Sequence, residues 1–211
     1  VLQTALEQIR QVRIHDGQRF GALACDLTDR TQLEDTLRKF QGEIGTPDVL
    51  IYAAGYAHPY VFLNIEPDVF YRQMDVNYFG AINTIRAFLP AIIERNSGHI
   101  LNICSVAGFL TFYGYSAYSP TKFALRGFSD ALRSELKFTN IKISIAFPPD
   151  TDTPGFETEN RTKPEITKEV SKAGGLAKPE AVARSILQGM QRNRYLIITG
   201  FENNLFFRSE E

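Results

Sequence analysis

Four short runs of this chain are apolar almost throughout, not only at alternate positions: PDVLIYAAG (47–55), GHILNICS (98–105), IKISIAF (141–147) and YLIITG (195–200). A strand with one wet face alternates apolar and polar residues; a continuous apolar run means that both faces are covered. Segments of helical periodicity separate the runs, at 67–95, 116–138 and 179–192. Parallel strands need long crossovers of this kind, which helices supply. The fold class that follows is α/β, an open, doubly wound parallel sheet of Rossmann-like type.

A further run, RFGALACDL (19–27), is predicted as another buried strand, closed by Asp26. It leads into an amphipathic helix over 28–45, with Thr28 or Asp29 as its N-cap. The whole of 1–211 reads as a single domain without internal repeats. Residues 148–178 form a long polar loop, expected to act as a substrate loop with Gly174-Gly175 as a hinge. The opening VLQTALEQIRQVRIHDG has helical spacing at Leu2, Leu6, Ile9 and Val12 but no start signal. The expectation is that an N-terminal β-α-β portion lies upstream and is missing from this chain.

Charge and composition narrow the function. Lys plus Arg is 23 against 24 for Asp plus Glu, a net charge of −1 with the basic residues scattered, so nucleic acid is not an expected partner. Cys25 and Cys104 both fall inside apolar runs and read as buried thiols, which favours an intracellular, cytoplasmic setting. Three histidines and two separated cysteines match no metal-site spacing. No apolar run approaches the roughly 20 residues of a membrane span, and no signal peptide opens the chain.

In a doubly wound sheet the ligand lies outside the carboxyl ends of the strands. Those ends are Asp26, Ala53 to Gly55, Cys104-Ser105 and Phe147 to Asp150. Beside them, SVAGFLTFYGYSAYSPTK (105–122) sets Ser105, Tyr118 and Lys122 in one stretch. Tyr118 and Lys122 are four apart in a helical segment and so share a face. A lysine ammonium near a phenol is expected to lower its pKa from about 10 and fit it for proton transfer. Ser105 can hydrogen-bond a carbonyl oxygen. Together they suit carbonyl polarisation and protonation of the developing alkoxide. Phe109, Leu110, Phe112, Tyr113 and Tyr115 lie between them, as the rim of an acyl pocket or as ordinary packing.

Ser105 followed by Tyr118-Ser-Pro-Thr-Lys122 resembles the active site of the short-chain dehydrogenase/reductase family. MDVNYFG (74–80) resembles that family's asparagine segment, which places Asn77 in the relay that serves the lysine. YAAG (52–55) stands where relatives often have NNAG, so the resemblance departs at Tyr52 and Ala53 while Ala54 and Gly55 match. Asp26, with Leu27 after it, matches the aspartate beside the adenine ring. The loop PPDTDTPGFETENRTKP (148–164) is similar to that of the branch reducing 3-ketodihydrosphingosine.

The resemblance implies NADPH-dependent reduction of a lipid-like, long-chain ketone in sphingolipid synthesis, with NAD(H) left open. It makes Asn77, Ser105, Tyr118 and Lys122 catalytic. The cofactor would meet Asp26, Leu27, Ala54, Gly55, Tyr118, Lys122, Pro148, Pro149, Thr151 and Thr153. The family's glycine-rich phosphate loop, G-x-x-x-G-x-G, does not occur in these 211 residues. Asp150 and Asp152 are candidates to face a substrate ammonium.

A steroid or 3-oxoacyl substrate is the alternative within the family, and a non-catalytic dinucleotide sensor the alternative outside it. Family members commonly form homo-oligomers, dimers or tetramers. Phe88, Leu89, Ile92 and Ile93 are candidates for that interface or for core. The aromatic tail with Phe201, Leu205, Phe206 and Phe207 is read either as a packed terminal turn or as a peripheral membrane contact.

Overall fold

The computed structural model of the protein describes residues 2–200. The four apolar runs become four parallel strands in the order β1-β2-β3-β4: β1 (Val49–Tyr52), β2 (Gly98–Ile103), β3 (Ile141–Phe147) and β4 (Leu196–Ile198). Leu50, Ile100 and Ile143 stand side by side in register on one face. Against them pack Ile85, Phe88 and Ile92 of α4 (Gly80–Arg95) and Leu132 of α5 (Ser119–Glu135). The opposite face carries Leu101, Ala146 and Ile197, covered by Ile186 and Met190 of α8 (Pro179–Gln191). Both faces are covered, as the continuous apolar runs require.

Phe88 and Ile92 are therefore core, and Ile93 alone of that expected interface set is well exposed. The tail residues Phe201, Leu205, Phe206 and Phe207 lie outside the described residues.

Three expectations change. Residues 19–27 do not form a strand; they run as irregular chain that is mostly exposed or half-buried. A strand is held by a neighbour's backbone, and no strand among the described residues lies alongside this segment. Local polar bonds hold it instead: the Asp26 amide donates to Gln32 Oε1 at 2.7 Å and the Arg19 guanidinium to the Glu43 carbonyl at 2.8 Å. The helix after it, α2 (Arg30–Ile44), does form, with Asp29 as its N-cap accepting from the Gln32 amide. The opening helix α1 (Leu2–Gln11) buries only Leu6.

The helical run over 67–95 is not continuous. It consists of α3 (Pro67–Met74), a wide π turn at Asp75–Phe79 and then α4. Such turns leave a carbonyl without its usual partner, and here the Tyr52 hydroxyl donates to the carbonyl of Val76.

The polar stretch 148–178 is not a loop throughout. It holds two helices, α6 (Pro154–Asn160) and α7 (Glu165–Gly174). Both start signals were present in the sequence: Thr153 caps α6, accepting from the Phe156 amide at 3.2 Å ahead of Pro154, and Pro164 opens α7. Charge density masked them.

Candidate active site

The carboxyl ends of β1, β2 and β3 open into a cavity of about 540 Å³. Its lining brings together Gly55, Ser105, Tyr118, Lys122, Pro148, Pro149, Thr151 and Thr153. Each comes from a different local cause. Ser105 follows β2 and caps a short 3-10 turn, accepting from the Ala107 amide at 3.1 Å. Tyr118 is the N-cap residue of α5, with Pro120 in the first turn, where its missing N–H costs nothing. Lys122, one turn on, extends back under the tyrosine, its Nζ 5.6 Å from the ring centre and donating to the Ile103 carbonyl at 3.2 Å.

Asn77 sits fully buried in the π turn beneath this group. Its Nδ2 donates to the Tyr56 carbonyl and to Thr121 Oγ1, both at 3.0 Å, and its Oδ1 accepts from the Tyr56 amide at 3.0 Å. Asn77 thus ties β1's exit to the start of α5. A Cβ on Gly55 would come within 3.0 Å of Asn77 Oδ1 and 3.4 Å of Lys122 Nζ, so both groups press on bare backbone there.

Burial sets the electrostatics. It raises the Tyr118 phenol above its ordinary range, while a hydrogen bond with Ser105 pulls the other way. Burial also lowers the Lys122 ammonium. The expected depression of the tyrosine pKa by Lys122 does not arise: burial raises the phenol, and the negative charges of Glu159 and Asp150 raise it further. The phenol holds its proton, the form a general acid needs. Cys104, which also lines the cavity, is pushed up to about 11 by burial.

Three predicted contacts stand elsewhere. Asp26 is exposed and its carboxylate is used on Thr28, accepting from the amide at 2.9 Å and the hydroxyl at 2.8 Å. Leu27 and Ala54 pack against Tyr52, Ala81 and Leu125 and do not line the cavity.

The rim divides. Leu110, Phe112 and Tyr115 line the cavity, Phe109 packs on Phe147, and Tyr113 is exposed. Two residues were not foreseen. Glu159 lines the cavity and accepts from the Tyr115 hydroxyl, and Lys163, its side chain fully buried, meets Glu159 at 2.9 Å. Their i, i+4 spacing was visible in the sequence, but a segment read as loop gives such spacing no meaning.

This arrangement agrees with known proteins. A model of the short chain dehydrogenase family matches residues 2–164. A protein of Danio rerio named 3-dehydrosphinganine reductase is 39% identical over 188 residues, 89% of this chain and 57% of that protein. The 3-ketodihydrosphingosine reductase of Bos taurus is 38% identical over the same shares of both chains. This chain therefore spans a little over half the length of the curated relatives it matches.

Among solved structures, a short-chain dehydrogenase from Streptomyces avermitilis superposes with a TM-score of 0.82 at 23% identity, covering 100% of this chain and 79% of that one. A short-chain dehydrogenase from Sphingobium yanoikuyae in complex with NADPH gives 0.82 at 22%, covering 99% and 77%. With a parallel sheet covered on both faces, Ser105, Tyr118 and Lys122 gathered at its carboxyl end, and a family match over residues 2–164, the chain belongs to the short-chain dehydrogenase family.

Proposed function

We propose that the protein reduces a long-chain ketone with a nicotinamide dinucleotide, NADPH in preference to NADH, and that the substrate is 3-ketodihydrosphingosine. The observation that carries this reading is one cavity lined both by Ser105, Tyr118 and Lys122 and by Leu110, Phe112 and Val170. The polar end suits a carbonyl and the apolar wall an alkyl chain. The names of the Danio rerio and Bos taurus relatives support the same choice.

The residues present fit the nicotinamide half of such a cofactor. Gly55 lines the cavity beside Lys122, and Thr151 and Thr153 line it too. When bound, the reduced nicotinamide supplies hydride to the carbonyl carbon. Ser105 Oγ hydrogen-bonds the carbonyl oxygen and polarises it. The Tyr118 hydroxyl then delivers its proton to that oxygen as negative charge develops there. Lys122 orients the phenol and stabilises its anion after transfer. Asn77 holds Thr121, and through it the first turn of α5, in register with β1.

Homo-oligomer formation and a peripheral membrane contact belong to this proposal. Among the described residues no helix is long and apolar enough to cross a membrane.

The test is oxidation of NADPH by the protein with 3-ketodihydrosphingosine, set against NADH and a steroid ketone. Selective turnover of the sphingoid ketone with NADPH is expected. Reduction of the steroid alone would reject the substrate and keep the chemistry.

A further inference from the structure

The ionisable groups of the cavity are unevenly placed. Asp150, at the exit of β3, and Glu159, on α6, both line it. Lys163 does not line it; its ammonium lies behind them, with its side chain fully buried. Lys163 Nζ is 2.9 Å from Glu159, 3.2 Å from Ser171 Oγ and 4.4 Å from the centre of the Phe156 ring. Its distance to Asp150 is 3.8 Å, the far limit of an ion pair. Glu159 also takes the Tyr115 hydroxyl, so its partners are close and several. Among the described residues the Asp150 carboxylate has only the distant lysine, with its side chain about 31% exposed where it borders the cavity. Two carboxylates in front of one ammonium leave an excess negative charge on this wall. The cation that does line the cavity, Lys122, donates to the Ile103 carbonyl.

A wall of that sign is out of place for a neutral ketone. An alkyl chain gains nothing from a carboxylate, and an acyl group carried on a phosphate-bearing thioester would be repelled by it. A primary ammonium is the complement: three donors and one positive charge, matched to a fixed carboxylate. The backbone holds the acceptor still, since the Ala177 amide donates to the Asp150 carbonyl at 2.9 Å and the Asp152 amide to the Ala177 carbonyl at 2.9 Å.

We propose that Asp150, with Glu159 beside it and Lys163 behind, is the subsite for a primary ammonium, so that this enzyme selects aminated long-chain ketones over amine-free ones. The inference deepens the reductase reading and rests on it for the identity of the reacting group. Asp150 is the specificity residue, Lys163 the positioning residue. Asp152 has no place in it, being absent from the cavity lining.

The experiment measures binding and turnover separately. The purified protein is titrated, below the micelle concentration, with dihydrosphingosine, with its N-acetyl derivative and with octadecane-1,3-diol. The free amine is expected to bind about tenfold or more tighter than the other two, the size of a charge-assisted hydrogen bond. Asp150→Asn is expected to collapse that ratio towards one.

Equal binding of amine and diol by the unaltered protein, no binding of the amine, or an unchanged ratio in a folded Asp150→Asn protein overturns the inference. If Asp150→Asn does not fold, the unaltered protein's own amine-to-diol ratio decides. Turnover distinguishes the two claims. Equal reduction of aminated and amine-free long-chain ketones sinks the ammonium subsite alone. Reduction of neither sinks the reductase reading, while the binding ratio still reports on the subsite.

Discussion

The Tyr52 hydroxyl donates to the carbonyl of Val76, joining the end of β1 to the π turn that presents Asn77. The bond satisfies a carbonyl that the wide turn releases, and burial holds the phenol well above its ordinary range, so the donor keeps its proton. A Cβ at Gly80 would overlap the same hydroxyl, so the glycine and the tyrosine are fitted to one another.

Tyr52→Phe should therefore cost about 1–3 kcal/mol, the usual result of leaving a buried carbonyl unpaired. Gly80→Ala should also destabilise, by pushing against a ring that cannot move. The double variant should lose less than the sum, because Phe removes the atom that the new methyl meets. Urea unfolding of the four proteins reads the coupling, and strict additivity contradicts the fit.

Tyr118→Phe removes the proposed proton donor and leaves the ring. Ketone reduction should fall by about 10²–10⁴-fold, the usual worth of a general acid. Nucleotide binding, followed by quenching of intrinsic fluorescence, should change little. Substantial turnover in this variant would remove Tyr118 from the proposed chemistry.

Cys104 gives a pH dependence whose sign can be worked out. Its folded pKa is raised from 9.0 to about 11 by burial, so it contributes stability that is complete below pH 9 and is lost as pH rises towards 11. The shift corresponds to about 2–3 kcal/mol. Lys122, lowered in the folded state, acts in the opposite sense over its own range. Stability measured from pH 8 to 10.5 should fall less steeply in Cys104→Ala than in the unaltered protein. Parallel slopes would show that the thiol does not titrate with unfolding.

Gly114 holds the rim against α7. Its φ is +83°, in the region that favours glycine, and a Cβ would lie 3.0 Å from Pro164 Cγ. Beside it Thr167 Oγ1 donates to the Tyr113 carbonyl at 2.7 Å, and the Tyr60 amide to the Gly114 carbonyl at 2.9 Å. Gly114→Ala should cost about 1–3 kcal/mol through strain. Proteolysis within 154–174 should also quicken, since α6 and α7 lose their hold on the rim. Unchanged proteolysis would show that these helices are held elsewhere.

The sequence by itself determined the parallel sheet and the Ser105, Tyr118 and Lys122 set. Both are written in short-range pattern: apolar runs at Val49–Tyr52, Gly98–Ile103 and Ile141–Phe147, and one i, i+4 pair at a helix start. Residues 19–27 carry the same apolar pattern and still form no strand, because strand formation is settled by a neighbour's backbone and not by the segment alone.

Only the tertiary structure decided the rest. Tyr52 reached Val76 across 24 residues and Tyr115 reached Glu159 across 44, pairings that no local spacing encodes. The placement of Lys163 behind two carboxylates, and the rise of the Tyr118 phenol where a fall was expected, follow from burial. Burial is a property of what the fold lays over a residue, and so it is absent from the residue's own neighbourhood in the chain.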